Sequence, residues 1–176
     1  MQKVSVWGRV AAWGVVFGLL AIVAVQLRTT QLGVVRTGEP APEFNLVTFD
    51  SQEIGPEEMR GKILVVNFWA SWCKPCEQEA ADLQAAWEVY APRGDVLFIG
   101  VDYVDTENEA LKYIERFGIT YPNGPDLGTR TAQAFRLQGV PETFFVDRQG
   151  QVAYVQIGPF TGLDSITSIV DRLLEN

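Results

Sequence analysis

Beyond residue 40 the hydrophobic positions fall into two patterns, short unbroken runs and longer stripes at helical spacing. The run 61–70, GKILVVNFWA, is apolar and β-branched after a glycine, which predicts a buried central strand. The run 96–102, VLFIGVD, predicts a second. Between them Ala80, Leu83, Trp87 and Tyr90 recur at helical spacing, so a helix is expected from about Pro75 to Tyr90, stopped by PRGD at 92–95. Upstream, residues 41–50 read as a lead-in and a short strand ending in a turn. Downstream, Thr106 with Glu109 three residues on, and Gly118 after Phe117, mark the cap and the end of a helix over 106–117. Residues 118–128 read as loop with room for a short strand, and 129–137 as a short helix. Residues 142–158 alternate as a hairpin around Asp147-Arg148-Gln149-Gly150. Leu163, Ile166, Ile169, Val170, Leu173 and Leu174 form the stripe of a closing amphipathic helix. The order β-β-α-β-α-α-β-β-α predicts an α/β fold with a mixed central sheet and helices on both faces.

The N-terminus breaks this pattern. Residues 10–27 are 18 consecutive positions without a charge, apolar on every face apart from Gln26. As a helix they span roughly 27 Å, enough for a hydrocarbon core. The run is longer than the apolar core of a signal peptide, and AIVAVQLRTT has no clean A-x-A site. An uncleaved signal anchor is therefore favoured over a cleaved signal peptide. The expected organisation is an N-terminal transmembrane helix within 1–28, a tether over 29–38 and a folded domain over 39–176. Lys3, Arg9 and the terminal amine precede the span, which favours a cytoplasmic N-terminus and an exported domain.

Charge and composition narrow the chemistry. Eleven of the 14 basic residues and all 22 acids lie beyond Arg28, so that part carries about −11. Such a domain should repel nucleic acid. The chain has no histidine, which removes Cys-His and Ser-His catalysis and most zinc or copper sites. Its only two cysteines are Cys73 and Cys76, in WASWCKPC. The pair can be a staple, half of a metal site or a redox couple. A staple closing so short a loop constrains little, and two cysteines supply half of a zinc site. A redox couple is therefore the expected role of the pair. At a strand-to-helix junction the helix N-terminus favours thiolate, so Cys73 is the expected attacking sulfur and Cys76 the resolving one. Lys74 adds a cation, Pro75 suits an early helical position, and both residues should tune the couple.

FWASWCKPC after an apolar strand resembles the active site of the thioredoxin superfamily. The wider pattern, GEPAPEFNLVTFD…GKILVVNFWASWCKPCEQEAADL with GVPETFFVD and the hairpin RQGQVAYVQIGP, is similar to its membrane-anchored extracytoplasmic branch, the ResA, CcmG/DsbE and TlpA types. The likeness covers roughly residues 38–175 and implies a thioredoxin-like fold. It implies that Pro141 is a cis-proline facing the disulfide and that Val140 lends its backbone to an extended substrate segment. Glu79 lies three residues after Cys76 on one helix face. In ResA-like proteins a glutamate here sits near the cysteines, which would make it a proton acceptor from Cys76. Glu142, in the PET form found in cytochrome c maturation members, would tune the thiols or touch substrate. Trp72 is expected at the rim and Trp69 in the packing. Asn67 stands where cytoplasmic thioredoxins carry a buried aspartate, so Glu79 becomes the acid of interest.

An exported, tethered couple in an oxidising compartment reads as a reductant, since a soluble oxidant needs no anchor. The resemblance implies a protein-disulfide reductase acting on the Cys-x-x-Cys-His disulfide of apocytochrome c. It implies recharging by a membrane donor of the CcdA/DsbD type, residence on the periplasmic side of a bacterial cytoplasmic membrane, a monomeric state, and no cofactor or metal beyond the Cys73–Cys76 couple. The alternative is a TlpA-type reductase with other clients, such as copper-site assembly. A copper carrier would need a Cys-x-x-x-Cys spacing and a distant histidine. A thiol peroxidase, similar at APEF, would need a lone cysteine in a Thr-x-x-Cys setting, which SWCKPC lacks.

Overall fold

The computed structural model describes residues 13–24 and 35–175. Residues 13–24 are helical and exposed, and belong to a different unit from 35–175. The rest of the expected span, 10–12 and 25–27, lies outside the described residues, as do 1–9 and the tether positions 29–34. No helix among the described residues is long and apolar enough to cross a membrane.

The folded unit runs β1 (Leu46–Val47), β2 (Glu53–Ile54), α1 (Pro56–Met59), β3 (Ile63–Trp69), α2 (Lys74–Tyr90), a 3-10 turn (Ala91–Arg93), β4 (Val96–Tyr103), α3 (Glu107–Phe117), β5 (Asn123–Asp126), α4 (Arg130–Ala134), β6 (Glu142–Val146), β7 (Val152–Ile157) and α5 (Leu163–Leu174). The main sheet has the order β5-β4-β3-β6-β7. β4 and β5 run parallel to β3, β6 pairs antiparallel with β3, and β7 pairs antiparallel with β6. The mixed sheet matches the expectation, as do the cap on Thr106 and the left-handed Gly118 that ends α3. β1 is the short strand expected within 41–50, whereas its partner β2 and α1 were not expected; at two to four residues each they are too short to show a period. The folded unit also begins earlier than residue 39. Val35 is buried in the core and Gly38 donates its N–H to the Val152 carbonyl.

β3 is central because every one of its residues is buried. Ile63, Val65 and Trp69 face a core built with α2, α3 and α5, while Leu64, Val66 and Phe68 face a second core with Phe44, Met59 and Phe135. Each such aliphatic or aromatic side chain contributes about 1.5–3 kcal/mol, so this strand alone anchors both layers.

The first core depends on a close approach at Gly100. The Trp69 indole N–H donates to Asn123 Oδ1 at 2.8 Å, across β4. A Cβ on Gly100 would fall 1.7 Å from that oxygen and 2.9 Å from the indole nitrogen. We expect Gly100→Ala to lower stability by about 1–3 kcal/mol, because it displaces the Asn123 acceptor and leaves the buried indole N–H unpaired. Urea midpoints should show a much smaller cost for Gly100→Ala in an Asn123→Ala background. Equal costs in both backgrounds would remove this explanation.

Candidate active site

Strand β3 delivers the chain to the active-site loop, and α2 begins immediately after it. Cys73 is the N-cap of α2 and its Sγ accepts the Cys76 N–H at 3.2 Å. The two sulfurs form a disulfide, and both residues are buried, Cys73 at 3% and Cys76 at 1% exposure. On reduction, the same N–H and the helix N-terminus favour a thiolate on Cys73. Pro75 stands in the first helical positions, where no N–H is needed, and is exposed. Lys74 is engaged: its Nζ lies 2.8 Å from Glu77, which also pairs with Arg116 at 3.3 Å. The cation that the sequence puts beside the thiols is thus offset by a carboxylate held down by Lys74 and Arg116.

Glu79 is 1% exposed, on the face of α2 that also buries Cys76 and Ala80. Its Oε1 accepts Asn67 Nδ2 at 2.8 Å and its Oε2 accepts the Phe160 N–H at 3.0 Å. Asn67 uses the same nitrogen to donate to Thr143 Oγ1 at 2.9 Å. Burial outweighs both hydrogen bonds and pushes the Glu79 carboxyl up to about 7.

Val140 and Pro141 lie at the same end of the sheet. The β3–β6 register pairs Phe68 with Glu142, which sets Pro141 level with the end of β3. The Val140–Pro141 peptide is cis, Pro141 is buried, and Val140 packs against the core that contains both cysteines. Trp72 is 57% exposed, and its indole N–H donates to the Val104 carbonyl at 3.2 Å. Trp69 is buried and stacked on Tyr113 with ring centroids 4.5 Å apart.

Glu142 goes elsewhere. Strand alternation sends Thr143 and Phe145 toward Asn67 and the disulfide, and sends Glu142 with Phe144 to the second core. There it has no exposed surface to offer a substrate. Its Oε2 accepts the Gln138 N–H at 3.0 Å, bracing the loop before Pro141, while Oε1 has no partner. Burial raises its pKa. Its role is that of a brace for the loop, on the face opposite Glu79.

A third carboxyl escaped the sequence reading. Asp102, 1% exposed, is paired in register with Trp69, and neither of its oxygens has a hydrogen-bond partner. Burial, with the nearby Asp105 carboxylate adding to it, pushes its pKa up to about 8. Asp105 in turn accepts the Ser71 N–H at 2.6 Å, tying the end of β4 to the active-site loop. The only hint in the sequence was an aspartate closing an apolar run. Among the described residues no cluster of three or more His, Cys, Asp or Glu is placed to hold a metal ion.

The family model described as AhpC/TSA matches residues 37–155, which take in the whole sheet up to β7. The chain belongs to the AhpC/TSA family. It is 31% identical to the thiol-disulfide oxidoreductase ResA of Geobacillus kaustophilus, over 90% of this chain and 89% of that one. It is 35% identical to the thiol:disulfide interchange protein DsbE of Allochromatium vinosum, over 69% and 66%. Among solved structures it resembles a thioredoxin-family thiol:disulfide interchange protein from Chlorobium tepidum, with TM-score 0.71 and 30% identity over 80% of this chain and 98% of that one. With the disulfide at the start of α2, this makes the chain a thiol-disulfide oxidoreductase of thioredoxin-like fold. Position 70, three before Cys73, is alanine, so the Thr-x-x-Cys setting of a peroxidatic cysteine is missing.

The raised carboxyls set a pH dependence. Glu79 and Asp102 keep their protons in the folded state after the unfolded chain has lost them. The folded state therefore binds more protons between about pH 4 and 8, and stability falls as pH rises through that window. Glu79 alone accounts for at most about 3 kcal/mol. Urea midpoints of the oxidised domain should decrease from pH 5 to pH 8. Glu79→Gln and Asp102→Asn should each flatten the decrease, the former at some cost at pH 5, because an amide nitrogen cannot accept the Phe160 N–H. A slope unchanged in both variants would mean that neither carboxyl titrates there.

Proposed function

We propose that this chain is a protein-disulfide reductase of an extracytoplasmic compartment, with the Cys-x-x-Cys-His disulfide of apocytochrome c as its client. The observation that carries the reading is Glu79, a carboxyl titrating near neutrality, buried one helical turn behind Cys76 and fixed by Asn67 and Phe160. The residues 10–27 anchor the domain in the cytoplasmic membrane, and a membrane dithiol donor of the CcdA/DsbD type restores the reduced state. The run of apolar residues at the N-terminus, the likeness to ResA and DsbE, and the PET sequence support this assignment.

In the reduced enzyme the Cys73 thiolate attacks one sulfur of the client disulfide. A mixed disulfide forms and the other client sulfur leaves as thiolate. Cys76 then passes its proton to the Glu79 carboxylate and attacks Cys73 Sγ. The Cys73–Cys76 bond forms, the mixed disulfide breaks, and the second client sulfur is released. Two electrons pass to the client, which ends as a dithiol once its thiolates take up protons. Trp72, Val140 and Pro141 border the sulfur that is attacked and receive the client segment.

Equilibration of the couple against glutathione, with reduction of a disulfide-bonded Cys-x-x-Cys-His peptide as the rate assay, tests this. We expect a potential near or below the glutathione range. One as oxidising as about −120 mV, that of a strong oxidase, would overturn the direction of electron flow. Equal reduction of the haem-site peptide and an unrelated protein disulfide would favour the broader TlpA-type role. Glu79→Gln should slow the resolving step by about 10- to 100-fold and let the Cys73 mixed disulfide accumulate. An unchanged resolving rate would assign the Cys76 proton to another acceptor.

A further inference from the structure

Four non-glycine residues among those described have positive φ: Ser51, Val104, Thr129 and Arg136. Val104, at φ +47°, is the apolar one. A branched β-carbon is poorly accommodated in the left-handed region, where asparagine and glycine are favoured. Nor does burial compensate for the strain, since Val104 is 46% exposed.

The surrounding hydrogen bonds hold this conformation in place. The Val104 carbonyl takes the Trp72 indole N–H, and the next residue, Asp105, takes the Ser71 N–H on one oxygen and the Thr106 N–H on the other. The loop after β4 is thereby clamped to the loop that carries Cys73. The outcome is two exposed apolar residues, Trp72 and Val104, on loops joined by a hydrogen bond, with Trp72 immediately preceding Cys73 in the chain. Strain retained at a reacting centre without a packing return points to a role in function.

We infer that Val104 is a specificity-determining residue: with Trp72 it forms an uncharged platform for an apolar or aromatic side chain next to the reacting cysteine of a protein disulfide. The platform selects such clients over small charged disulfides. Charge points the same way. The chain beyond Arg28 carries about −11, which disfavours the anionic disulfide of glutathione, whereas a polypeptide segment gains by burying an apolar side chain against Trp72 and Val104. The assignment rests on the exchange chemistry proposed above.

The test compares wild type, Val104→Gly and Val104→Asn, two substitutions that the left-handed backbone accepts. Each is assayed on two oxidised substrates, glutathione disulfide and a disulfide-bonded peptide with phenylalanine next to its cysteine. Alkylation of Cys73 by iodoacetamide and the urea midpoint are measured alongside. We expect kcat/KM for the peptide to fall about tenfold, mainly through KM. Glutathione disulfide reduction and alkylation should stay within about twofold, and the urea midpoint should hold or rise. A parallel fall on both substrates would place Val104 with the thiols instead, and no fall on either would make its conformation incidental. A fall in the urea midpoint in both variants would make it a structural residue. A wild type that reduces neither disulfide would overturn the exchange reading itself, whereas an active wild type without the selectivity shift overturns the Val104 assignment alone.

Discussion

Glu79 accepts one N–H from Asn67 on β3 and another from Phe160, 81 residues further along the chain. Those two bonds join the helix that carries the cysteines to the central strand and to the segment entering α5. The balance of terms explains why the group is useful. A hydrogen bond to a charged group is worth about 1.5–3 kcal/mol, while taking a carboxylate out of water costs several. Two donors offset much of that cost but not all of it, and the carboxyl settles near neutrality, at about 7. A third donor would shift the balance toward the ionised form, and the loss of one would shift it toward the neutral form. Its ability to exchange a proton in the physiological range follows from partial compensation.

The sheet then distributes charge by parity. Asn67 and Thr143 sit opposite each other on β3 and β6 and point into the layer of α2, where Asn67 donates to both Glu79 and Thr143. One residue earlier, Glu142 points into the other layer and braces the Gln138 backbone. Two buried carboxyls therefore serve the same end of the sheet from opposite faces. One lies behind the resolving sulfur and the other lies behind the loop that ends in Pro141. A single-residue slip of β6 would swap the faces of Thr143 and Glu142, so the β3–β6 register is as much a part of the site as the cysteines.

The strand-to-helix junction, the cap on Thr106 and the terminal hairpin were legible in the sequence because each carries a local signature. Cys73 at the N-cap and Pro75 in the first helical turn lie where those signatures put them. What escaped depended on pairing. β6 is buried along its whole length, so its pattern gives no phase, and the face taken by Glu142 could not be read from PETFF. Asp102 looked like the polar end of a strand until β5 covered it. Lys74 looked like a free cation until α2 placed Glu77 one turn away and α3 placed Arg116 beside it. The N-terminal run reads plainly in the sequence, but only 13–24 of it lie among the described residues.

The unfavourable features of the domain share one location. Glu79, Asp102, Glu142 and the left-handed Val104 all stand where β3 and β4 end and β6 begins, while the opposite half of β3 is aliphatic and dry. A thiol-disulfide oxidoreductase has to accommodate two forms of its site that differ by two electrons and by as many as two protons, within a low dielectric. An all-apolar surround would penalise every thiolate that forms there, and a strongly cationic one would fix the thiolate and blunt its nucleophilicity. Neutralisable acids avoid both extremes. They carry little charge while protonated and can take up a proton once ionised, while the N–H groups at the start of α2 favour a thiolate on Cys73. The aliphatic half of the sheet supplies the stability that such an arrangement costs.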